Sequence, residues 1–225
     1  MIVVVASVYD DAARSVVARW DSQRATMLTA EDLCRPGWTL QLPTDRSGNS
    51  VIDGSVVPNG EIGGVLTLRS SVLPAELRSI RREDRQYVSS ELNAFLLVWL
   101  TSLNCRVVNR PSAMSLAGPN WRQEQWTVMA ASLGIPVQPR RRTVPETTVP
   151  PPDDTVEVIV AGDRCFAAGD AELAAWSRQL AQAAAVDLLS VRFSIRERRF
   201  CMASPWPALT DPAVFEAARA CVEGS

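Results

Sequence analysis

Arg69 and Arg110 close two predicted strands of one parallel sheet, and Glu91 lies near the start of the helix between them, so the three form a candidate anion- or peptide-binding site. A guanidinium is a planar fork that stays charged; it clamps a carboxylate or phosphate but seldom moves a proton. A structural salt bridge among these residues is the equal alternative. The chain has no histidine and no lysine, and its 23 basic residues are all arginine. That removes the imidazole acid–base shuttle and metal ligand, the Schiff base and the P-loop lysine. Five cysteines are scattered without a C-x-x-C pair and read as reduced, mostly buried small hydrophobes. Cys34, beside Arg35, has a cationic neighbour that would lower a thiol pKa, but it lacks a histidine base. No residue is assigned a catalytic role.

The elements that must position these residues follow from periodicity. Ile2–Val8 reads as a buried strand, not a signal peptide, because no basic segment leads it and Asp10 and Asp11 follow it. Asp10–Arg24 as a helix and Ala25–Thr29 as a second strand complete a β-α-β unit, hence a parallel sheet. The turn between the first strand and helix carries two carboxylates and no glycine, which suits a helix cap and repels a bound anion. Arg46–Gly64, rich in Gly, Asn, Ser and Asp around a short strand at Ser50–Val57, fits a hairpin or an exposed loop, Val65–Arg69 a buried strand and Pro74–Arg85 a charged helix. Arg78, Arg81, Arg82 and Arg85 share one face of that helix; they either clamp an acidic peptide or phosphate, or pair with Glu76, Glu83 and Asp84. Val88–Leu103 is strongly amphipathic, Arg106–Asn109 is a short strand, and Arg122–Leu133 is a helix that stops at Gly134. Gln138–Asp154, with Arg140-Arg141-Arg142 and several prolines, has almost nothing to bury and reads as a linker. Beyond it come a hairpin turning at Gly162-Asp163, a helix over Asp170–Val186, two strands through Ala203, and a last helix opened by Asp211-Pro212.

Val107-Val108-Asn109-Arg110-Pro111, and Ala130-Ala131-Ser132-Leu133-Gly134-Ile135-Pro136-Val137-Gln138-Pro139 beyond it, resemble the end of the pre-ATP-grasp region in RimK-like and graspetide-type ATP-grasp ligases. The hairpin Val158 to Ala168, with Gly162-Asp163 and Phe166-Ala167, resembles the one that opens the ATP-grasp carboxyl-terminal lobe. The resemblance implies an α/β chain: a Rossmann-like pre-ATP-grasp domain over 1–137, a Pro/Arg-rich linker over 138–154, and a small α+β remnant of the ATP-grasp C-terminal lobe over 155–225. In such ligases the lid subdomain, with its phosphate loop and lysines, lies between the two matching segments; here seventeen residues do. Gln123 stands at the nucleotide-contacting lysine. Arg192, Met202 and Ser204 stand where the family has magnesium ligands. A cation and a thioether cannot replace hard oxygen ligands.

The resemblance therefore implies a degenerate, truncated ATP-grasp protein: a cytoplasmic, non-catalytic accessory, recognition or scaffold subunit in peptide modification, without cofactor or metal. Its partner is expected to be an active ligase or another modifying enzyme, a copy of itself, or a peptide, through Arg140, Arg141, Arg142 and an exposed Trp206. A net charge of −2 argues against nucleic acid, and no run is long enough to span a membrane. The alternatives are a metal-free or partner-dependent enzyme derived from an ATP-dependent carboxylate-amine ligase, using Arg69, Glu91 and Arg110, and a generic two-lobed α/β protein.

Overall fold

A computed structural model describes residues 1–20, 24–40, 48–138, 154–167 and 169–224. The chain divides into two compact units, one of residues 1–120 with 209–225 and one of residues 121–208. This differs from the boundaries expected from sequence. The helix expected to close the first domain belongs to the second unit, and the last helix returns to the first.

In the first unit, β1 (Ile2–Val5) is buried along its whole length. α1 (Asp11–Arg19) follows, its N-cap Asp10 accepting from the Ala13 amide at 3.0 Å, as the turn's carboxylates foretell. β2 (Ala25–Leu28), the short α2 (Ala30–Leu33) and the antiparallel hairpin β3 (Asn49–Ile52) and β4 (Ser55–Pro58) come next. That hairpin turns on Asp53 and Gly54, both at positive φ, the conformation a two-residue turn requires. β5 (Gly64–Thr67), α3 (Arg85–Ser102) and β6 (Arg106–Val108) complete a parallel sheet of order β2-β1-β5-β6. Leu96, Trp99, Leu100 and Leu103 of the amphipathic stretch bury against Val3, Val5, Val65 and Val107. The Trp99 indole, fully buried, donates to the Ser50 hydroxyl at 2.8 Å, so the large ring enters the core without an orphaned N–H.

The charged helix expected over Pro74–Arg85 is absent. Only a 3₁₀ turn at Pro74–Glu76 forms, and the chain continues in turns to α3. Glu76 is drawn inward instead of lying on a helix surface, and Leu77 leaves helical geometry at ψ 63°. Arg85 begins α3, its guanidinium donating to the carbonyls of Ile80 and Arg78, so the four arginines do not share a helix face.

The second unit is α4 (Gln123–Ser132), β7 (Thr155–Ala161), β8 (Arg164–Phe166), α5 (Ala171–Ala183), β9 (Leu188–Ser194) and β10 (Phe200–Ser204). Its sheet is antiparallel, in the order β10-β9-β7-β8. Trp126, Leu173 and Leu180 pack on Val158, Val191, Phe193 and Phe200, so the helices cover one face of the sheet. α6 (Pro212–Glu223), capped by Asp211, packs in the first unit against β5 and β6. It lies so close that a Cβ on Gly64 would come within 2.5 Å of the Val222 carbonyl oxygen. Among the described residues no helix is long and apolar enough to cross a membrane.

Candidate functional site

In the first unit the chain runs from β1 to β2 on one side and then to β5 on the other, so the carboxyl ends of β1 and β5 flank the point where strand order reverses. Arg69 sits there, two residues beyond β5 and 9% exposed. Its Nε and Nη2 donate to the Ser71 carbonyl at 2.9 and 2.6 Å, its Nη1 donates to the Ala6 carbonyl at 3.2 Å, and Nη2 also pairs with the Glu76 carboxylate. That carboxylate accepts from the Leu73 amide at 2.8 Å as well. Burial pushes the Glu76 carboxyl up, but the Arg69 hydrogen bond, Ser7, the Leu73 amide and the Arg69 charge outweigh it and hold the group below the ordinary range.

The counter-charge of Arg69 is therefore Glu76 and not Glu91. Glu91 is exposed on α3, Arg110 is exposed beyond β6, and neither arginine pairs with Glu91. The parallel pairing of β5 and β6 puts Arg69 and Arg110 beyond the same ends of neighbouring strands, and most of the Arg69 fork is already engaged. Glu76 escaped sequence reading because it stands among surface charges. Its spacing of three from Leu73 was the available signal.

The second unit carries an open pocket of about 290 Å³ on the outer face of its sheet. Side chains alternate across a strand, so residues in register share a face. Glu157 of β7 stands opposite Arg192 of β9, which stands opposite Met202 of β10; Ser190 stands opposite Ser204. A register slip between Phe200 and Met202 aligns Met202, rather than Cys201, with Arg192. All five residues line the pocket together with Trp206, which is 37% exposed. The pocket thus holds Arg192, Met202 and Ser204, three positions singled out from sequence, and adds Glu157 and Ser190, which were not. Glu157 accepts a hydrogen bond from the Ser190 hydroxyl and lies 3.8 Å from Arg192 Nε. Gln123 exchanges hydrogen bonds with the main chain of Ala203, its Nε2 donating to the carbonyl at 3.0 Å and its Oε1 accepting from the amide at 3.4 Å; it staples α4 to β10.

The Cys34 thiol is raised above its ordinary value, by burial first and by Glu31, against a lowering hydrogen bond to Ser79; Arg35 does not activate it. Cys201 is core, 3% exposed. Arg140, Arg141 and Arg142 lie outside the described residues.

No protein-family model matches the sequence, and no curated protein matches it. Solved structures do match in three dimensions. A macrocyclase, MdnC, from Microcystis aeruginosa, bound with its precursor peptide, superposes at a TM-score of 0.71 with 10% identity, over 100% of this chain and 99% of that one. A RiPP-associated ATP-grasp ligase from Chryseobacterium gregarium, in complex with ADP and a leader and core peptide, gives 0.67 with 9% identity over 98% and 96%. A RimK-domain ATP-grasp protein from Sphaerobacter thermophilus gives 0.53 with 12% identity over 98% and 97%. The chain is a small α/β protein whose fold, along its whole length, is that of the ATP-grasp proteins.

Proposed function

We propose that this chain is a non-catalytic ATP-grasp-like protein that serves as a recognition or scaffold subunit in peptide modification. The observation that carries the proposal is the pocket on the outer face of the second sheet. An ATP-grasp fold implies a magnesium nucleotide, and magnesium demands several hard oxygen ligands. The pocket offers one carboxylate, Glu157, already engaged by Ser190 and Arg192, together with a cation and a thioether. That set does not fit the ion. Among the described residues no group of three or more acidic, cysteine or histidine side chains could hold a metal. No lysine is available for a phosphate, and the seventeen residues of 138–154 are too few for a lid subdomain.

The peptide-modification role is supported by the company the fold keeps, since MdnC and the Chryseobacterium ligase are bound to peptides. The partner in this reading is an active ligase or other modifying enzyme, or a second copy, met in the cytoplasm through Trp206 and the side chains of Arg140, Arg141 and Arg142. An enzyme built on Arg69, Glu91 and Arg110 is disfavoured because Arg69 spends its charge on Glu76. The test is turnover: the homogeneous chain, given ATP, magnesium and acidic peptides, is expected to release no ADP and to leave peptide masses unchanged. Conversion by the isolated protein would overturn the proposal.

A further inference from the structure

The pocket on the outer face of the second sheet holds more hydrogen-bonding capacity than its own residues use. Arg192 and Glu157 stand opposite each other on β9 and β7, within an unbroken antiparallel register, so the backbone fixes where each begins. At 3.8 Å their ion pair is too long for a hydrogen bond, and Arg192 makes none among the described residues. One oxygen of Glu157 accepts from the Ser190 hydroxyl and faces Arg192; the other accepts from no group among the described residues. The Ser204 oxygen accepts from the Trp206 amide at 3.3 Å, while the Ser204 hydroxyl proton and the Trp206 indole N–H find no acceptor among them. A guanidinium fork, an indole N–H, a hydroxyl and one carboxylate oxygen therefore meet in one pocket with their bonding capacity unspent.

Charge and size select the class of occupant. The pocket carries one cation and one anion, so an anionic ligand is attracted by Arg192 and repelled by Glu157, and a cationic ligand meets the reverse. A molecule bearing both charges on neighbouring groups gains from each. At about 290 Å³ the pocket falls just below the roughly 300–1,000 Å³ of sites for drug-sized ligands, so that molecule is small. Met202, Trp206 and Ala208 supply an apolar wall, and the unbranched thioether of Met202 adapts to varied shapes.

We infer that this pocket takes a free α-amino acid with an apolar side chain. Arg192 receives the carboxylate, Glu157 the ammonium, and Met202 and Trp206 the side chain. An α-amino acid carries its two charges on groups attached to one carbon, which suits a cation and an anion held side by side across two strands without bonding each other. The inference deepens the recognition role proposed above and rests on its premise that this face no longer holds a magnesium nucleotide.

The test is calorimetric titration of the whole chain with L-leucine and with three relatives of the same body: 4-methylpentanoate, which lacks the amine; 3-methylbutylamine, which lacks the carboxylate; and N-acetyl-leucinamide, which keeps amide groups and loses both charges. Leucine is expected to bind about 10-fold or more tightly than each, since every relative forfeits at least one charge-assisted hydrogen bond. Glu157→Gln is expected to erase the preference for leucine over 4-methylpentanoate, and Arg192→Gln the preference over 3-methylbutylamine; both sites are part-exposed, so the variants fold. Trp206→Ala is expected to weaken leucine several-fold. Absence of leucine binding, or equal binding of leucine and any of its relatives, would overturn the inference. Saturable binding of magnesium nucleotide at the same pocket would overturn it together with its premise, whereas failure of leucine with no nucleotide bound removes the inference alone.

Discussion

Two arginine–carboxylate pairs occupy the two units, and they differ in everything except chemistry. Arg69–Glu76 is closed, with side chains 8% and 5% exposed, and its carboxylate also accepts from a main-chain amide. Arg192–Glu157 is loose, 3.8 Å apart, with side chains 43% and 38% exposed at an open pocket. Charge and spacing in sequence do not separate a structural pair from an accessible one. Burial and the engagement of the guanidinium's donors do. The first pair holds the loops beyond β1 and β5 together, whereas the second leaves its groups facing solvent.

The contrast can be broken most strongly at Arg69. Arg69→Ala strands a buried carboxylate and is expected to cost about 3–5 kcal/mol, read from urea unfolding and from lost amide protection in β1 and β5. Glu76→Gln keeps a hydrogen-bond acceptor and is expected to cost less, about 1–3 kcal/mol. It should also change the acid response. Because the folded-state Glu76 is depressed, its contribution is fully present above the ordinary glutamate range, around pH 4, and is lost as pH falls through the lower folded value. The wild-type first unit should therefore lose stability in that acid window, and Glu76→Gln should flatten the slope. Asp170 in the second unit is depressed too, by the Leu173 amide first, against a smaller opposing effect of burial, and then by Arg198; it acts in the same window, but at a surface site where solvent screens it. The smallest effect belongs to the open pair: Arg192→Gln should change stability by less than about 1 kcal/mol by the same unfolding measurement. An equal cost for Arg69→Ala and Arg192→Gln would erase the distinction.

Much of the fold was legible locally. The apolar run of β1, the capping Asp10, the helical repeat through Leu96 and Trp99, and the Asp211-Pro212 start of α6 each declare themselves within a few residues. Long-range competition was not legible. The 74–85 segment has helical charge spacing, but Glu76 gains more from a buried guanidinium and the Leu73 amide than from a place on a solvated helix. The same competition hid the true partner of Arg69. Likewise α4 and α6 change units because Trp126 and Phe215 find their cores far along the chain, which no window of sequence reports. The pocket was half visible: Arg192, Met202 and Ser204 came from resemblance, while the row Glu157–Arg192–Met202 depends on strand register and on the slip before Met202.

The central claim is that the outer face of the second sheet no longer holds a magnesium nucleotide. Isothermal calorimetry of the whole chain with ADP and with ATP, in the presence of magnesium and up to millimolar nucleotide, addresses it directly. The account predicts no saturable heat with either nucleotide. Magnesium-dependent, saturable binding that Arg192→Gln or Met202→Ala alters would contradict it and place a working nucleotide site in this pocket.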